Sequence, residues 1–231
     1  MPDFSHRSGQ SELMDEGGLS FEEFHHCLRS LEVINILTLA YRPTLRWLKG
    51  MMVGAPLSIL DAGSGGGDML RRVERLAKHA RCSTSLTGVD LNPWSKQSAT
   101  LSSPSSAIRY ETADIFDFEA KTSVDIVICS LFTHHLSDGQ IVDFLRWMDG
   151  RANKGWFIND LQRHKLPYYF IKAATALFSH NRLIRHDAAV SVSRSFTVAD
   201  WRNLLDRADL RARARVQWVF PFRICVSCRK V

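Results

Sequence analysis

The chain has 231 residues, of which 45% are hydrophobic and 23% are charged. This length allows one substantial domain with additions but not two large domains, and no apolar run is long enough to span a bilayer. Lysine and arginine total 30 against 24 acidic residues, and the net charge of +6 permits an anionic partner without requiring one.

The N-terminus and the cysteines indicate a cytoplasmic protein. Residues 1–18 lack the basic and then apolar order of a signal peptide, and their polar composition predicts a flexible tail. The five cysteines are an odd number, and the Cys-x-x-Cys motif at Cys225 and Cys228 has no second pair to complete a zinc site. We therefore expect a reduced, cytoplasmic chain with no metal site and no membrane span.

A helical segment is predicted over residues 19–50, before the first strand. Ser20 and Glu23 suit a capping box, and apolar residues recur from Phe21 to Leu48 with a break at Pro43. We assign residues 51–231 to the main domain that follows.

Strands and helices alternate in this main domain. The pattern predicts strands over 57–61, 85–90, 108–114, 124–130, 155–160, 214–220 and 222–228, and helices over 68–80, 93–101, 137–151 and 196–210. Such alternation predicts an α/β fold with a doubly wound, mainly parallel seven-stranded sheet. The last two strands predict an antiparallel C-terminal hairpin. Just before and at the start of the first of them, Arg211, Arg213 and Arg215 alternate with Ala212, Ala214 and Val216, which is typical of a strand with one solvated face. Ligands of such sheets bind beyond the carboxyl ends of the strands.

A glycine-rich loop, DAGSGGGDM, joins the first strand to its helix. A dinucleotide site needs the spacing G-x-G-x-x-G, but Asp68 stands where the last glycine would be, and its carboxylate would repel a pyrophosphate. The residues instead match Asp61-x-Gly63-x-Gly65-x-Gly67. In this motif the chain resembles the class I S-adenosylmethionine-dependent methyltransferases, of the bacterial small-molecule type.

The resemblance extends from residue 57 to the end and implies a Rossmann-like methyltransferase fold with S-adenosylmethionine as cofactor. In this family the acidic residue that opens the motif, here Asp61, helps to place the ammonium group of the cofactor. Asp90 closes the second strand, where a carboxylate accepts the ribose hydroxyls, and Asp114 matches the residue that receives the adenine amino group. The implied cofactor-binding residues are Asp61, Gly63, Ser64, Gly65, Gly67, Asp90, Leu91, Asp114, Ile115 and Ser130.

Each acidic residue also has a purely structural interpretation. Asp61 could form a turn, Asp90 with Asn92 and Pro93 could cap the next helix, and Asp114 could be a loop residue. Leu91 could be a core residue. All three carboxylates follow successive strands at one edge of the sheet, and this joint placement favours the cofactor interpretation.

Two histidines follow the fourth strand in SLFTHHLSD, next to the position that lines the acceptor pocket in this family. The cofactor activates its own methyl group, so the protein has to align the acceptor and remove a proton. Histidine suits that task towards a phenol. We predict His135 first and His134 second as the base, with Asp160 after the fifth strand as a further candidate. A histidine could instead pack structurally, and Asp160 could cap the next segment.

Residues 161–195 form a connection long enough to be a lid. Its aromatic stretch PYYFIKAATALF predicts a dry acceptor pocket, and residues 19–50 would complete the lid, as in many small-molecule members of the family. The candidate acceptor residues are His164, Tyr168, His186 and Arg194. His186 and Arg194 could instead hold the insert in place through ion pairs.

These features predict methyl transfer to a small, largely apolar acceptor, a phenolic or quinol oxygen of the kind found in quinone pathways and secondary metabolism. Three alternatives remain: methylation of an aromatic or quinone ring carbon, a non-catalytic cofactor-binding protein, and an RNA methyltransferase. The asparagine-proline-aromatic motif of amino-group methylation is absent after the fourth strand, where SLFTHH stands. A nucleic-acid partner is therefore disfavoured.

Overall fold

Seven strands and eight α-helices are present in the part of the chain that the computed structural model describes, residues 3–15, 17–53, 55–119, 123–178 and 181–230. The strands are β1 Leu57–Ala62, β2 Thr84–Asp90, β3 Arg109–Thr112, β4 Val124–Ser130, β5 Ala152–Leu161, β6 Arg215–Val219 and β7 Arg223–Arg229. The helices are α1 Phe21–Leu37, α2 Arg42–Lys49, α3 Asp68–Ala80, α4 Pro93–Ser102, α5 Asp138–Arg151, α6 Lys165–Phe178, α7 Arg182–Arg194 and α8 Val198–Arg207.

The strands form one mixed sheet in the order β3-β2-β1-β4-β5-β7-β6. Strands β1 to β5 are parallel to their neighbours, whereas β7 is antiparallel to both β5 and β6. The predicted doubly wound sheet and its C-terminal hairpin are confirmed. The strand order reverses beside β1, and this is the position at which such sheets open a crevice for a ligand.

Helices cover both faces of the sheet because each buries one apolar stripe. On one face, α5 and α8 bury Phe144 and Trp201 in a core shared with β4 and β5. On the other face, α2 and α3 contribute Leu48 and Leu70, which are fully buried. The two cores fix the sheet between its helices and hold the loops at its carboxyl edge in place.

The predicted helix starts coincide with the observed caps. Ser20 caps α1 in a capping box with Glu23, Ser137 caps α5 in the same way, and Thr197 caps α8. Pro43 lies in the first turn of α2, where its missing N–H costs nothing.

A third apolar cluster joins α1 to the helices of the long connection. Cys27 and Ile34 from α1 pack with Ile171 of α6 and with Ile184 and Val192 of α7. The two segments that we expect to form a lid therefore contact each other, while their division from the main domain and their lid role stay predictions.

Two local predictions were wrong. Arg211 and Arg213 do not continue the strand of Arg215, because the main-chain N–H of Arg213 bonds back to Leu210 and the segment turns. The third strand ends at Thr112, so Asp114 lies in the loop beyond it. Among the described residues, every helix is too short or too polar to cross a lipid bilayer.

Candidate active site

A cavity of about 730 Å³ opens at the carboxyl edge of the sheet. The loops that follow β1, β2 and β3 line one end of it, and the turn after β4 lines the other end together with α1, α6, α7 and the N-terminal segment. Its volume lies in the range of small-molecule sites. The position agrees with the ligand crevice that the sheet topology predicts.

The glycine loop between β1 and α3 depends on left-handed backbone. Gly63 has φ +71° and Gly67 has φ +72°, a region that side chains with a Cβ rarely adopt. A Cβ on Gly63 would lie 2.6 Å from the ring of Phe132, and one on Gly67 would collide with the Tyr110 hydroxyl. The glycines therefore let the loop pass close to neighbouring rings and turn into α3.

Replacing Gly63 by alanine is expected to lower the free energy of unfolding by roughly 2–5 kcal/mol, the sum of left-handed strain and of overpacking against Phe132. Urea unfolding followed by circular dichroism would measure the change. Gly139→Ala is the matched control, since Gly139 lies in α5 with open space around it, and it should leave stability equal or slightly higher. Equal effects of the two substitutions would contradict the steric argument.

Asp61 is a buried carboxylate at the end of β1 that lines the cavity. Its side chain is 2% exposed, and its Oδ1 has no hydrogen-bond partner among the described residues. Burial, together with the negative charges of Asp68 and Asp90, raises the pKa of Asp61 well above its usual value. Such an isolated carboxylate suits a ligand that brings a positive charge.

Asp90 ends β2, Asp114 lies in the loop after β3, and both residues line the cavity. Asp90 Oδ2 accepts a hydrogen bond of 2.8 Å from the main-chain N–H of Gly65, which ties the second strand to the glycine loop. Asn92 caps α4, and Asp90 Oδ1 accepts a hydrogen bond of 2.9 Å from the main-chain N–H of Asn92. Asp90 therefore also supports the start of this helix, in line with its structural alternative. Asp114 is exposed, and its Oδ1 accepts from the main-chain N–H of Phe116.

The other residues predicted to bind the cofactor lie around this end of the cavity. Its wall includes Gly63, Ser64, Gly65, Leu91, Ile115 and Ser130, whereas Gly67 lies behind it. Leu91 is 69% exposed, so its core alternative is wrong. Ile115 is 6% exposed and packs against the main core.

His134 is buried between two carboxylates in the 3-10 turn Thr133–His135, which follows β4. Its Nδ1 lies 2.7 Å from Asp160 Oδ1, and its Nε2 lies 3.5 Å from Glu12 Oε1. Burial alone would lower the pKa of His134, but Asp160 and then Glu12 outweigh it and raise that pKa to about 10. The two carboxylates therefore stabilise positive charge at this position.

His135 lies beside His134 and faces the cavity. The two rings are 4.4 Å apart between centroids. Its Nδ1 lies 2.8 Å from Asp15 Oδ2, and its Nε2 lies 4.0 Å from Glu12 Oε2. Both histidines therefore direct Nε2 towards Glu12, a residue of the N-terminal segment.

The remaining candidates lie outside the cavity wall. Asp160 is fully buried behind His134, and His164 accepts a hydrogen bond at the start of α6. Tyr168 packs edge-on against Phe4. His186 contacts Asp187, and Arg194 donates to the main-chain carbonyls of His134 and His135. Arg194 thus contacts the histidine turn instead of facing the cavity.

Sequence reasoning missed several charged residues of the cavity wall, among them Glu12 and Arg223. Glu12 lies in a segment without secondary structure, more than 100 residues before the histidines that it contacts. Arg223 begins β7 and is 3% exposed, and its Nη1 is buried without a hydrogen-bond partner among the described residues. The apolar patterns around both residues carry no signal of these contacts.

One family model matches part of the chain. Residues 59–155 match the family described as "Methyltransferase domain". A search of curated proteins found no match. The matched range runs from within β1 into β5 and therefore contains the glycine loop, Asp90, Asp114 and both histidines.

Solved structures share the fold at low sequence identity. The plantazolicin methyltransferase BpumL, solved with a desmethylplantazolicin analogue and S-adenosylhomocysteine, aligns with a TM-score of 0.64 and 13% identity over 91% of this chain and 98% of that one. The magnesium protoporphyrin IX methyltransferase of Synechocystis PCC 6803, with bound S-adenosylhomocysteine, aligns with a TM-score of 0.56 and 16% identity, over 97% of this chain and 90% of that one. Human N-acetylserotonin methyltransferase in complex with S-adenosylmethionine aligns with a TM-score of 0.62 and 15% identity, over 91% of this chain and 56% of that one.

Proposed function

We propose that this chain, a class I methyltransferase by family and fold, transfers the methyl group of S-adenosylmethionine to an oxygen of a small, largely apolar phenol or quinol. One observation carries the proposal. A single cavity joins the unpaired carboxylate of Asp61 at one end to the His134–His135 pair and an apolar wall at the other. When bound, the cofactor supplies a methyl group activated on its sulfonium.

Asp61, Asp90 and Asp114 hold the cofactor in this proposal. Asp61 pairs with its ammonium group, since this buried carboxylate needs a cation. Asp90 accepts the ribose hydroxyls while it keeps the glycine loop in place through Gly65, and the exposed Asp114 receives the adenine amino group. The other members of the set are Gly63, Ser64, Gly65, Gly67, Leu91, Ile115 and Ser130.

The acceptor end of the cavity is mainly apolar. Its wall includes Met14, Leu31, Ile34, Leu161, Ile171 and Ala188. An apolar wall with few polar groups favours a flat, uncharged acceptor over a nucleic acid. Arg223 adds one unpaired donor here, which suits a carbonyl or second hydroxyl oxygen on the same acceptor.

The acceptor oxygen is activated at the histidine pair, with His135 as the first candidate for proton removal. His135 is partly exposed and lines the cavity. Asp160 is a positioning residue, because it contacts His134 and not the cavity. His164, Tyr168, His186 and Arg194 support the lid helices and the histidine turn rather than the acceptor itself.

Calorimetric titration with S-adenosylmethionine and S-adenosylhomocysteine tests the cofactor assignment. We expect micromolar binding of both compounds, a loss of at least tenfold in Asp90→Ala because the ribose hydroxyls lose their acceptor, and no binding of NAD. Wild-type protein would then be screened for methyl transfer to phenols and quinols, with His135→Gln as the inactive comparison. A folded wild-type protein that binds neither sulfur compound would overturn the assignment.

A further inference from the structure

Three side chains from distant parts of the sequence meet at the acceptor end of the cavity. One donor atom from each of Glu12, His134 and His135 lies within 4.8 Å of the other two. Glu12 belongs to the N-terminal segment, whereas both histidines belong to the turn after β4. All three line the cavity. Two imidazoles and one carboxylate are a donor set that divalent transition metals favour.

The distances suit ligands that share an ion better than they suit hydrogen bonds. His134 Nε2 lies 3.5 Å from Glu12 Oε1, and His135 Nε2 lies 4.0 Å from Glu12 Oε2. Hydrogen bonds between such groups are commonly about 2.8 Å long. Two ligands of a tetrahedral zinc ion, each about 2.1 Å from the metal, lie roughly 3.4 Å apart. Because all three donors lie within 4.8 Å of one another, a contraction of at most about 1.4 Å would bring them to that spacing.

A carboxylate holds the other nitrogen of each imidazole. Asp160 Oδ1 lies 2.7 Å from Nδ1 of His134, and Asp15 Oδ2 lies 2.8 Å from Nδ1 of His135. When Nδ1 carries the proton for such a contact, Nε2 presents its lone pair. Carboxylate–histidine–metal arrangements of this kind orient the ring and make it a better ligand. Both rings here have that support on the side opposite to Glu12.

The charges around the pair also favour a cation. Three carboxylates, Glu12, Asp15 and Asp160, surround the two imidazoles. The guanidinium of Arg194 is the nearest fixed positive charge on α7, with its Nη1 at 3.7 Å from Asp15 Oδ2. Two further guanidinium groups lie nearby, because Arg7 donates to the main-chain carbonyl of His134 and Arg223 interacts electrostatically with Asp160. A divalent ion would place positive charge among the three carboxylates without requiring two imidazolium rings 4.4 Å apart.

The surrounding contacts hold the three donors in place. The main-chain N–H groups of Leu13 and Met14 donate to Asp187, which fixes the segment next to Glu12. The hydroxyl of Ser191 donates to Glu12 Oε1 at 2.7 Å. Arg194 donates to both carbonyls of the histidine turn. Oriented ligands of this kind distinguish a built site from a chance approach of side chains.

We propose that Glu12, His134 and His135 bind a divalent transition-metal ion, with Zn²⁺ as the first candidate. Three protein ligands leave one position of a tetrahedral ion open, and that position faces the cavity. The role of the ion towards an acceptor rests on the proposed function: the ion would hold the acceptor hydroxyl and increase its acidity. The ion would also fasten the N-terminal segment over the cavity, because Glu12 is one of its ligands.

The test uses the full chain after EDTA has removed any bound metal. Titration with Zn²⁺ measures the affinity and the number of ions bound, and absorption spectroscopy of the Co²⁺-loaded protein reports the ligand type. We expect one ion per chain at micromolar affinity or better, and visible Co²⁺ bands of a nitrogen- and oxygen-ligated site. Glu12→Gln and His135→Gln should each weaken Zn²⁺ binding by at least tenfold. His79→Gln is the matched control, since His79 is an exposed histidine whose Nδ1 lies 2.7 Å from the main-chain carbonyl of Arg75 in α3, and the variant should bind Zn²⁺ like wild type.

Two further readouts separate this proposal from the proposed function. Zn²⁺ should slow hydrogen exchange in residues 10–15 of wild type but not of Glu12→Gln. Titration of S-adenosylmethionine into the same stripped samples should give unchanged affinity, because the cofactor end is intact. A folded, cofactor-binding wild type that takes up no Zn²⁺, or a Glu12→Gln variant that binds it as tightly, overturns the metal site and leaves the methyltransferase assignment standing.

Discussion

Replacing Asp61 by asparagine should weaken binding of S-adenosylmethionine by on the order of 100-fold and raise the stability of the cofactor-free protein. The loss of cofactor affinity and the gain of stability have the same cause, the buried charge of Asp61. In the free protein the carboxyl is buried with an unpaired Oδ1 and with two other carboxylates nearby, so its charge is a cost. In the complex that same charge faces the ammonium group, and losing one partner of a buried pair costs several kcal/mol.

The pH dependence has a defined sign. The pKa of Asp61 is raised in the folded protein, so the folded chain keeps a proton that the unfolded chain releases near pH 3.9. The folded state then binds more protons, and stability falls as the pH rises from there through the folded-state pKa. An asparagine side chain at this position cannot titrate, so the variant should lack this part of the fall.

Three measurements test this prediction. Calorimetry in buffers of different ionisation enthalpy should detect the release of up to one proton when wild type binds the cofactor, and none from this position in the variant. Thermal unfolding without cofactor should give a higher midpoint for Asp61→Asn. Asp143→Asn removes an exposed charge and should change neither quantity. A cofactor-free Asp61→Asn protein that is less stable than wild type would show that Asp61 has a partner in the folded state.

The fold was predictable because its signals are local. Each parallel strand is a short apolar run, and each helix has its own periodicity. The capping residues Ser20, Ser137 and Thr197 mark helix starts through motifs that span only four residues each. Strand ends at one edge then follow from topology, which is why Asp61, Asp90 and Asp114 were expected on one cavity. The wrong prediction at Arg211 and Arg213 arose where an alternating pattern lies in a turn that follows α8.

The acceptor end was only partly predictable, because its contacts are non-local. The doublet of His134 and His135 is visible in the sequence, but the contact with Glu12 joins a segment with no periodic pattern to a turn more than 100 residues away. The polar composition of residues 1–18 indicates a flexible tail, whereas its described part contacts the cavity through Glu12 and Asp15. The mobility of this tail stays a prediction that these contacts now qualify.

Replacing Asp160 by alanine should lower the free energy of unfolding by about 3–5 kcal/mol, the cost of breaking a buried ion pair. Asp160 is fully buried and accepts from the Thr133 hydroxyl at 2.5 Å and from the main-chain N–H of Leu161 at 2.7 Å. Burial alone would raise the pKa of Asp160, but the charge and hydrogen bond of His134 outweigh it and lower that pKa to about 2. Without Asp160, these donors and His134 lose their partner.

Thermal and urea unfolding would measure the loss, which corresponds to a fall in midpoint of roughly 6–20 °C for a chain of this size. Asp138→Ala is the control, because its carboxylate is 56% exposed in its pair with Arg7, and the loss there should stay below about 1 kcal/mol. A loss of the same size in both variants would contradict the buried-pair argument.

The double variant with Asp160→Ala and His134→Leu separates two roles of Asp160, its contribution to the stability of the fold and its orientation of the His134 ring. Buried ion pairs replaced by apolar groups often lose little stability, whereas single removals leave an uncompensated charge. The double variant should therefore be more stable than Asp160→Ala alone, with a coupling of at least about 1 kcal/mol. Methyl transfer should nevertheless be lost, because the ring that Asp160 orients is gone. Recovered stability without recovered activity would indicate that this buried pair serves the geometry of the site more than the stability of the fold.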